Sequence, residues 1–408
     1  MTAFVLVVFA VTYVGMALGR LPGLAIDRSG MALVAAVLVV VARAVAPESV
    51  AAAIHFPTLI LLFALMIVSA RFAAAGLYDW IAARIAAAAG SPHRLLALTI
   101  AIGGGLSAVL VNDVVVFVMT PLLVRGLVAR DLDPRPFLAA LAGAANAGSA
   151  ATIIGNPQNI VIGQVGALDF VKFLAVCGPP ALAALVVIHL VVARVWADEL
   201  RRTPGREVPA LPPVERDQTI KAALATAALL VLFLTPVPRE LSALAVAAVL
   251  LLSRRFASRT MLTAVDWPLL LLFTGLFVVN RALADTGLTA EALAWARDHA
   301  LFPDRLAVLL PGALLVSNTI GNVPAVIALL AAGSGWSSSM LYGLALTTTL
   351  AGNFFLVGSI ANLIVAERAA SVGACFGFRE HARAGVPMTL ISMAIAAAWL
   401  WGGGWLGW

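Results

Sequence analysis

The sequence predicts an all-α polytopic membrane protein: two inverted-topology repeats, about ten membrane spans, two re-entrant helical hairpins and two broken helices. Three observations predict it. Of the 408 residues, 62% are hydrophobic and 11% charged, whereas soluble domains run about 45–50% apolar and about 25% charged. Segments in the first half recur in the second. Polar interruptions inside apolar runs fall in matched pairs. With a mean hydropathy of +1.04, the apolar excess has to face lipid. That excludes a soluble enzyme, a disordered chain and a secreted disulfide scaffold. No alternating segments of roughly ten residues are present, which excludes a membrane barrel. The two cysteines, Cys177 and Cys375, lie in or beside apolar stretches, which argues against disulfide staples and a Cys-ligated metal.

A span needs roughly 20 apolar residues. Runs of this kind cover 2–19, 30–46, 57–75, 137–168, 171–193, 220–235, 240–253, 266–283, 340–365 and 386–405. The first has no basic segment before it and reads as a retained helix rather than a cleaved signal. Two further stretches, 94–125 and 305–331, each have room for two short helices around a polar middle. They read as re-entrant hairpins, the alternative being an ordinary span plus a loop. Trp399, Trp401, Trp405 and Trp408 form an interfacial belt. His189 reads as a packed histidine, and Arg71, Arg281, Asp285 and Glu367 as span-end charges that snorkel.

The formal charge of +6 sits in short loops between apolar runs, which points to orientation in a bilayer and not to nucleic acid. With both termini outside, Arg20, Arg28, Arg84, Arg94, Arg125, Arg130 and Arg135 fall inside. So do the basic residues of the polar loop from Arg194 through Arg206 to Lys221. Arg254, Arg255, Arg259, Arg368, Arg379 and Arg383 follow. Six of the 26 basic residues fall outside: Arg43, Lys172, Arg239, Arg281, Arg297 and Arg305.

Repeats support the same plan. Phe56-Pro57-Thr58-Leu59 echoes Trp267-Pro268-Leu269-Leu270 at an offset of 211, and Ala75-Gly76-Leu77 echoes Thr286-Gly287-Leu288 at the same offset. Short amphipathic segments follow, at 77–89 and 289–299. Later, Gly155-Asn156-Pro157-Gln158-Asn159 matches Gly358-Ser359-Ile360-Ala361-Asn362 at an offset of 203. The chain thus divides into scaffold helices over 1–56 and a first repeat over 57–195. A cytoplasmic linker over 196–219 carries Pro204, Pro209, Pro212 and Pro213. Scaffold helices over 220–265 and a second repeat over 266–408 follow. The charge-derived topology inverts the second repeat relative to the first. Inverted repeats with broken helices are the plan of secondary transporters.

Unsatisfied backbone in hydrocarbon costs several kcal/mol, so helix breaks at membrane depth line cavities or lie buried in protein. Four interruptions qualify: Val111-Asn112-Asp113, preceded by Gly103-Gly104-Gly105; Asn146 through Asn159; Ser317-Asn318-Thr319 with Gly321-Asn322; and Thr347-Thr348-Thr349 with Gly352-Asn353, Gly358-Ser359 and Asn362. Asn, Ser and Thr oxygens and freed carbonyls suit Na⁺, and half-helix N-termini suit an anion. Taken singly, each such side chain is as well explained by an interhelical hydrogen bond. Asp113 is the sharpest residue, since an intramembrane carboxylate is expensive. It binds a cation or proton, or it caps the second helix of its hairpin. Asn112, Asp113, Asn159, Asn318 and Asn362 are expected to converge in one midplane cavity.

These motifs resemble the ion transporter superfamily, which includes divalent anion/sodium symporters, citrate transporters and arsenite permeases. Ser317-Asn318-Thr319 matches the symporters' hairpin signature, while Val111-Asn112-Asp113 and Gly321-Asn322-Val323-Pro324 look more like the arsenite permeases. Gly155-Asn156-Pro157-Gln158-Asn159 is similar to the family's first unwound element. The resemblance implies a homodimer of scaffold and transport domains with an elevator-like motion. It implies substrate contacts at Asn112, Asp113, Asn159, Ser317, Asn318, Thr319, Asn322 and Asn362. It places Na⁺ at Asn112, Gly155, Asn156 and Asn159, and at Ser317, Asn318, Gly358 and Asn362. Asp113 makes proton coupling the alternative. The expected activity is secondary transport of a small inorganic or organic anion across the inner membrane, without an organic cofactor. The rivals are an arsenite/antimonite efflux permease, a Na⁺/H⁺ antiporter and a passive channel. No His-Glu-x-x-His or paired intramembrane aspartates point to an enzyme.

Overall fold

The computed structural model describes residues 1–18, 24–88, 91–203, 205, 211–333 and 335–408. Arg20 and Arg206 of the charge count, and Pro204 and Pro209 of the linker, lie outside the described residues. Among the described residues there are helices and no β-strand, with one isolated bridge between Arg305 and Gly407.

In the first half, α1 (Thr2–Leu18), α2 (Arg28–Val41) and the single turn α3 (Val50–Ala53) precede α4 (Phe56–Ala74) and α5 (Leu77–Ala86). Next come α6 (Pro92–Val109), α7 (Asn112–Val128), α8 (Arg135–Ser149), α9 (Pro157–Val165) and α10 (Phe170–Val195). The second half holds α11 (Arg216–Leu232), α12 (Arg239–Leu251), α13 (Ser258–Thr263), α14 (Trp267–Ala284) and α15 (Leu288–Asp298). It continues with α16 (Leu306–Thr319), α17 (Asn322–Ala331), α18 (Ser338–Ala351), α19 (Ile360–Ala370) and α20 (Phe378–Gly402).

By length and composition, α4, α6, α10, α14 and α20 can each cross a membrane, and α1, α2, α16 and α17 are shorter apolar helices. The 30–46 run therefore gives a shorter helix than expected. It stops at Val41 because Arg43 turns left-handed, with φ 56°. The last run gives a longer one. Its charged start is helical because Glu380 accepts the Gly377 N–H at 3.0 Å and closes the first turn.

The recurring segments begin and end alike. The His55 ring accepts the N–H of Thr58 at the start of α4, and the Asp266 carboxylate accepts that of Leu269 at the start of α14. His55 and Asp266 are themselves 211 residues apart. A proline stands in each first turn, where its missing N–H costs nothing. Each helix ends at a left-handed glycine, Gly76 (φ 75°) and Gly287 (φ 81°), which turns the chain into α5 or α15. An L-residue is strained there.

At the centre, α8 is buried almost throughout. It packs on α6, where a Cβ on Gly148 would run into the backbone of Gly104. Small residues let the two backbones touch. Gly103 and Gly104 serve this packing, whereas Gly105 faces open space. That contact holds the end of α8, and with it the first chain break, beside the junction of α6 and α7.

Candidate functional site

The helix α8 stops at Ser149, and α9 starts only at Pro157. Likewise α18 stops at Ala351, and one 3₁₀ turn, Leu356–Gly358, precedes α19. Each break meets the tip of a helix pair. At the α6–α7 junction, the Asn112 N–H donates to the Gly155 carbonyl at 3.1 Å. At the α16–α17 junction, Asn318 Nδ2 donates to the Ala351 carbonyl at 2.9 Å, and Asn318 Oδ1 accepts the Phe355 N–H at 3.1 Å. Both breaks need glycine. A Cβ on Gly155 would meet the Ser149 backbone, and one on Gly358 would meet Asn318 Oδ1.

Within each break one asparagine ties the loose chain. Asn159 Nδ2 donates to the carbonyls of Ser149 and Thr152, 10 and 7 residues earlier, at 3.2 and 3.0 Å. Asn362 Nδ2 donates to the carbonyls of Gly352 and Phe355, again 10 and 7 residues earlier, at 2.8 and 3.3 Å. Every member of the first set lies 203 residues before its counterpart.

The two breaks are also bonded to each other. Asn146 Nδ2 donates to Asn362 Oδ1 at 3.0 Å, and Thr349 Oγ1 donates to Asn159 Oδ1 at 3.3 Å. Ser359 Oγ donates to Asn146 Oδ1 at 2.9 Å, and Asn156 Nδ2 to Thr349 Oγ1 at 3.4 Å. Asn146 and Thr349 keep the same 203-residue offset, so the crossing bonds correspond pairwise. Asn156 also caps α9, its Oδ1 accepting the Asn159 N–H at 2.8 Å. Buried polar atoms are usually paired, and most here are. Two oxygens at the first tip are not: Asn112 Oδ1 and Ser107 Oγ are buried without a partner among the described residues.

Of the expected site residues, Asn112, Gly155, Asn156, Asn159, Ser317, Asn318, Gly358 and Asn362 line the two breaks and tips. Ser317 Oγ donates to the Thr348 carbonyl at 3.4 Å. Asn322 sits beside Gly352, and its Oδ1 accepts the Val323 N–H at 3.0 Å. Two residues stand apart. Thr319 is exposed, with its hydroxyl turned back to the carbonyls of Leu315 and Val316. Asp113 points away from Asn112, because neighbours on a helix lie about 100° apart. It faces a cavity of about 500 Å³ shared with Asp266, Phe117, Met66 and Ile364. It caps nothing: the N-cap of α7 is Val111, without a side-chain bond. Asp113 is 8% exposed and makes no side-chain hydrogen bond or ion pair among the described residues. A second cavity, of about 340 Å³, is lined by His55, Val161, Asn280, Asp285 and Ile327.

Asn146, Thr349 and Asn353 lie in stretches that their polarity marks, but no local signal singles out these residues. Nor does one single out His381, whose Nε2 donates to the Asn353 carbonyl at 2.9 Å from full burial. The last expected span begins only at 386, so His381 falls in the charged stretch before it, and nothing local marks the histidine. Asp266 carried one signal, its 211-residue offset from His55.

The fold has a solved counterpart. The YdaH transporter of Alcanivorax borkumensis superposes with a TM-score of 0.61 over 100% of this chain and 98% of its own, at 17% identity. The family model and the relatives that match this chain are those of transporters, so the chain is a membrane transporter and not an enzyme. A family model described as "Citrate transporter" matches residues 4–340, and the chain belongs to that family. It is 28% identical to a 46 kDa membrane protein of Mycobacterium leprae, over 98% of each chain. It is also 28% identical to the silicon efflux transporter LSI3 of Oryza sativa, over 95% of each.

Proposed function

We propose that the protein is a secondary active transporter that moves a small inorganic or organic anion across the inner membrane, coupled to Na⁺ or H⁺. In this reading its halves are inverted repeats, both termini lie outside, and a homodimer works by elevator-like alternating access. The crossed bonding of the two breaks carries the reading. It brings two interruptions, each costly in hydrocarbon, to one place with their amides and half-helix N-termini gathered there. Such a centre suits a solute and its coupling ion.

The two cavities support alternating access. One is lined by α4, α7, the start of α14 and α19; the other by the start of α4, α9, α14 and α17. Exchanging α4 with α14, α7 with α17, α9 with α19 and His55 with Asp266 turns one set into the other. Inverted repeats would provide two such access routes.

Na⁺ would lie at Asn112, Gly155, Asn156 and Asn159, and at Ser317, Asn318, Gly358 and Asn362. The unpartnered Asn112 Oδ1 and Ser107 Oγ favour the first position. At the second, both side-chain atoms of Asn318 are already bonded. The amides of Asn112, Asn159, Asn318, Asn322 and Asn362, with Ser317 and Thr319 at the second tip, would hold the solute. Asp113, buried without a counter-ion, would carry a coupling proton from the larger cavity.

A second reading is extrusion of a small oxyacid, as by an arsenite/antimonite permease. It is favoured by the rice relative named for silicon efflux and by the bonding groups of the breaks, which are amides and hydroxyls. Proteoliposomes given imposed Na⁺ or H⁺ gradients, with citrate, arsenite and silicic acid as test solutes, separate the readings. Citrate uptake driven by either gradient supports the first. Flux of every solute that ignores both gradients overturns coupled transport.

A further inference from the structure

We propose that the pocket between the ends of α4, α11 and α12 binds the headgroup of an anionic phospholipid. The pocket holds about 930 Å³ and is lined by four cationic side chains, Arg71, Lys221, Arg254 and Arg255. Among the described residues no carboxylate lines it. Arg255 is paired with Glu215 at 3.1 Å, and no ion pair is assigned to Lys221 or Arg254 among the described residues. Arg71 does not snorkel: it is 4% exposed, with its guanidinium over the Phe256 ring and Nη2 donating to Gln218 Oε1. Its Nε is buried with no acceptor among the described residues.

Part of the lining is apolar and faces outward. Leu224, Val249 and Leu252 are 65%, 66% and 86% exposed. The C-terminal ends of α4 and α12 and the first turns of α11 meet here. Cations therefore gather at helix-end level while leucine and valine line the outer flank. A phosphodiester with acyl chains matches both parts, and basic pockets between spans favour such headgroups. A free inorganic anion would need the cations and not the apolar flank.

The test uses the full chain, purified in detergent and depleted of lipid. Native mass spectrometry and thermal unfolding are followed with phosphatidylglycerol and with phosphatidylcholine. Phosphatidylglycerol should be retained and should raise Tm; phosphatidylcholine should do neither. Lys221→Gln combined with Arg254→Gln spares the buried Arg71 and should weaken phosphatidylglycerol retention by roughly tenfold or more. Arg43→Gln combined with Lys172→Gln should leave it unchanged. Equal retention of both lipids, or undiminished retention in the Lys221/Arg254 variant, overturns the proposal. Displacement by millimolar inorganic phosphate identifies a soluble-anion site and overturns it. So does cross-linking of two copies through a cysteine placed at Leu252, which identifies a protein contact.

Discussion

Asn146 Nδ2 donates to Asn353 Oδ1 at 2.7 Å, joining helix α8 to the break that follows α18 across 207 residues of sequence. The same amide reaches Asn362, and its oxygen accepts from Ser359. One side chain thus links the first half to three residues of the second. Asn146→Ala strands buried amide oxygens on Asn353 and Asn362, each worth roughly 1–3 kcal/mol. A Tm drop of several degrees in detergent is expected, with transport reduced at least tenfold. Wild-type Tm and rate in this variant would remove Asn146 from its central position.

Glycine tolerance should split along the breaks. Gly155→Ala pushes a methyl into the Ser149 backbone, and Gly358→Ala pushes one into the Asn318 amide. Both should abolish transport. Gly105→Ala meets nothing within 4 Å and should transport normally, with a Tm no lower than wild type, since alanine is the better helix former. The three variants, reconstituted at equal density, give the comparison.

Asp113 and Asp266 share one cavity but hold different positions. Asp266 caps α14 through the Leu269 N–H at 3.0 Å, whereas Asp113 has no bond to lose. Asp113→Asn should therefore fold normally. If Asp113 carries the coupling proton, the variant should lose H⁺-driven accumulation and keep solute exchange at equal concentrations. Asp266→Ala should instead cost about 1 kcal/mol in stability by removing the cap. An unchanged pH profile in Asp113→Asn assigns the coupling elsewhere.

Between α7 and α8, Asp133 is bound by Arg135 through the guanidinium at 2.5 and 2.9 Å and through the backbone N–H at 2.9 Å. Burial raises the Asp133 carboxyl, but the bonds from Arg135 outweigh it and hold the group below the usual carboxylate value. A lowered folded-state value means that the pair stabilises the protein above the unfolded value of about 3.9. That contribution is lost as pH falls through the lower folded one. Asp133→Asn should lower stability at pH 7 by about 1 kcal/mol or less, since Arg135 is partly exposed, and this should be read as a lower Tm. The difference should vanish at pH values well below 4. Melting curves across that range check it, and a constant difference refutes the linkage.

Much of the architecture can be read residue by residue. Pro57 and Pro268 mark helix starts, and Gly76 and Gly287 mark helix stops, because proline and glycine act on the backbone where they stand. The breaks at 149–157 and 351–360 are legible for the same reason: Gly, Asn and Pro inside an apolar run locally disfavour a continuous helix. Asn146, Thr349 and His381 were harder. An asparagine in the alanine-rich α8 looks like any interhelical donor until its partners are known. His381 hides in a charged helix start.

By itself the sequence determined the solvent of this protein and where its helices end, since both follow from the transfer and backbone preferences of single residues. Only the tertiary structure decided that Asn112 meets the first break while Asp113, one residue on, faces Asp266 in a separate cavity. A helix turns about 100° with each residue, so packing and not proximity in sequence chooses the neighbour. It also decided that Asn146 bonds Asn362, 216 residues away, and that Thr349 bonds Asn159, 190 residues away. Pairings at that range form only when whole helices are stacked, and no local preference encodes them.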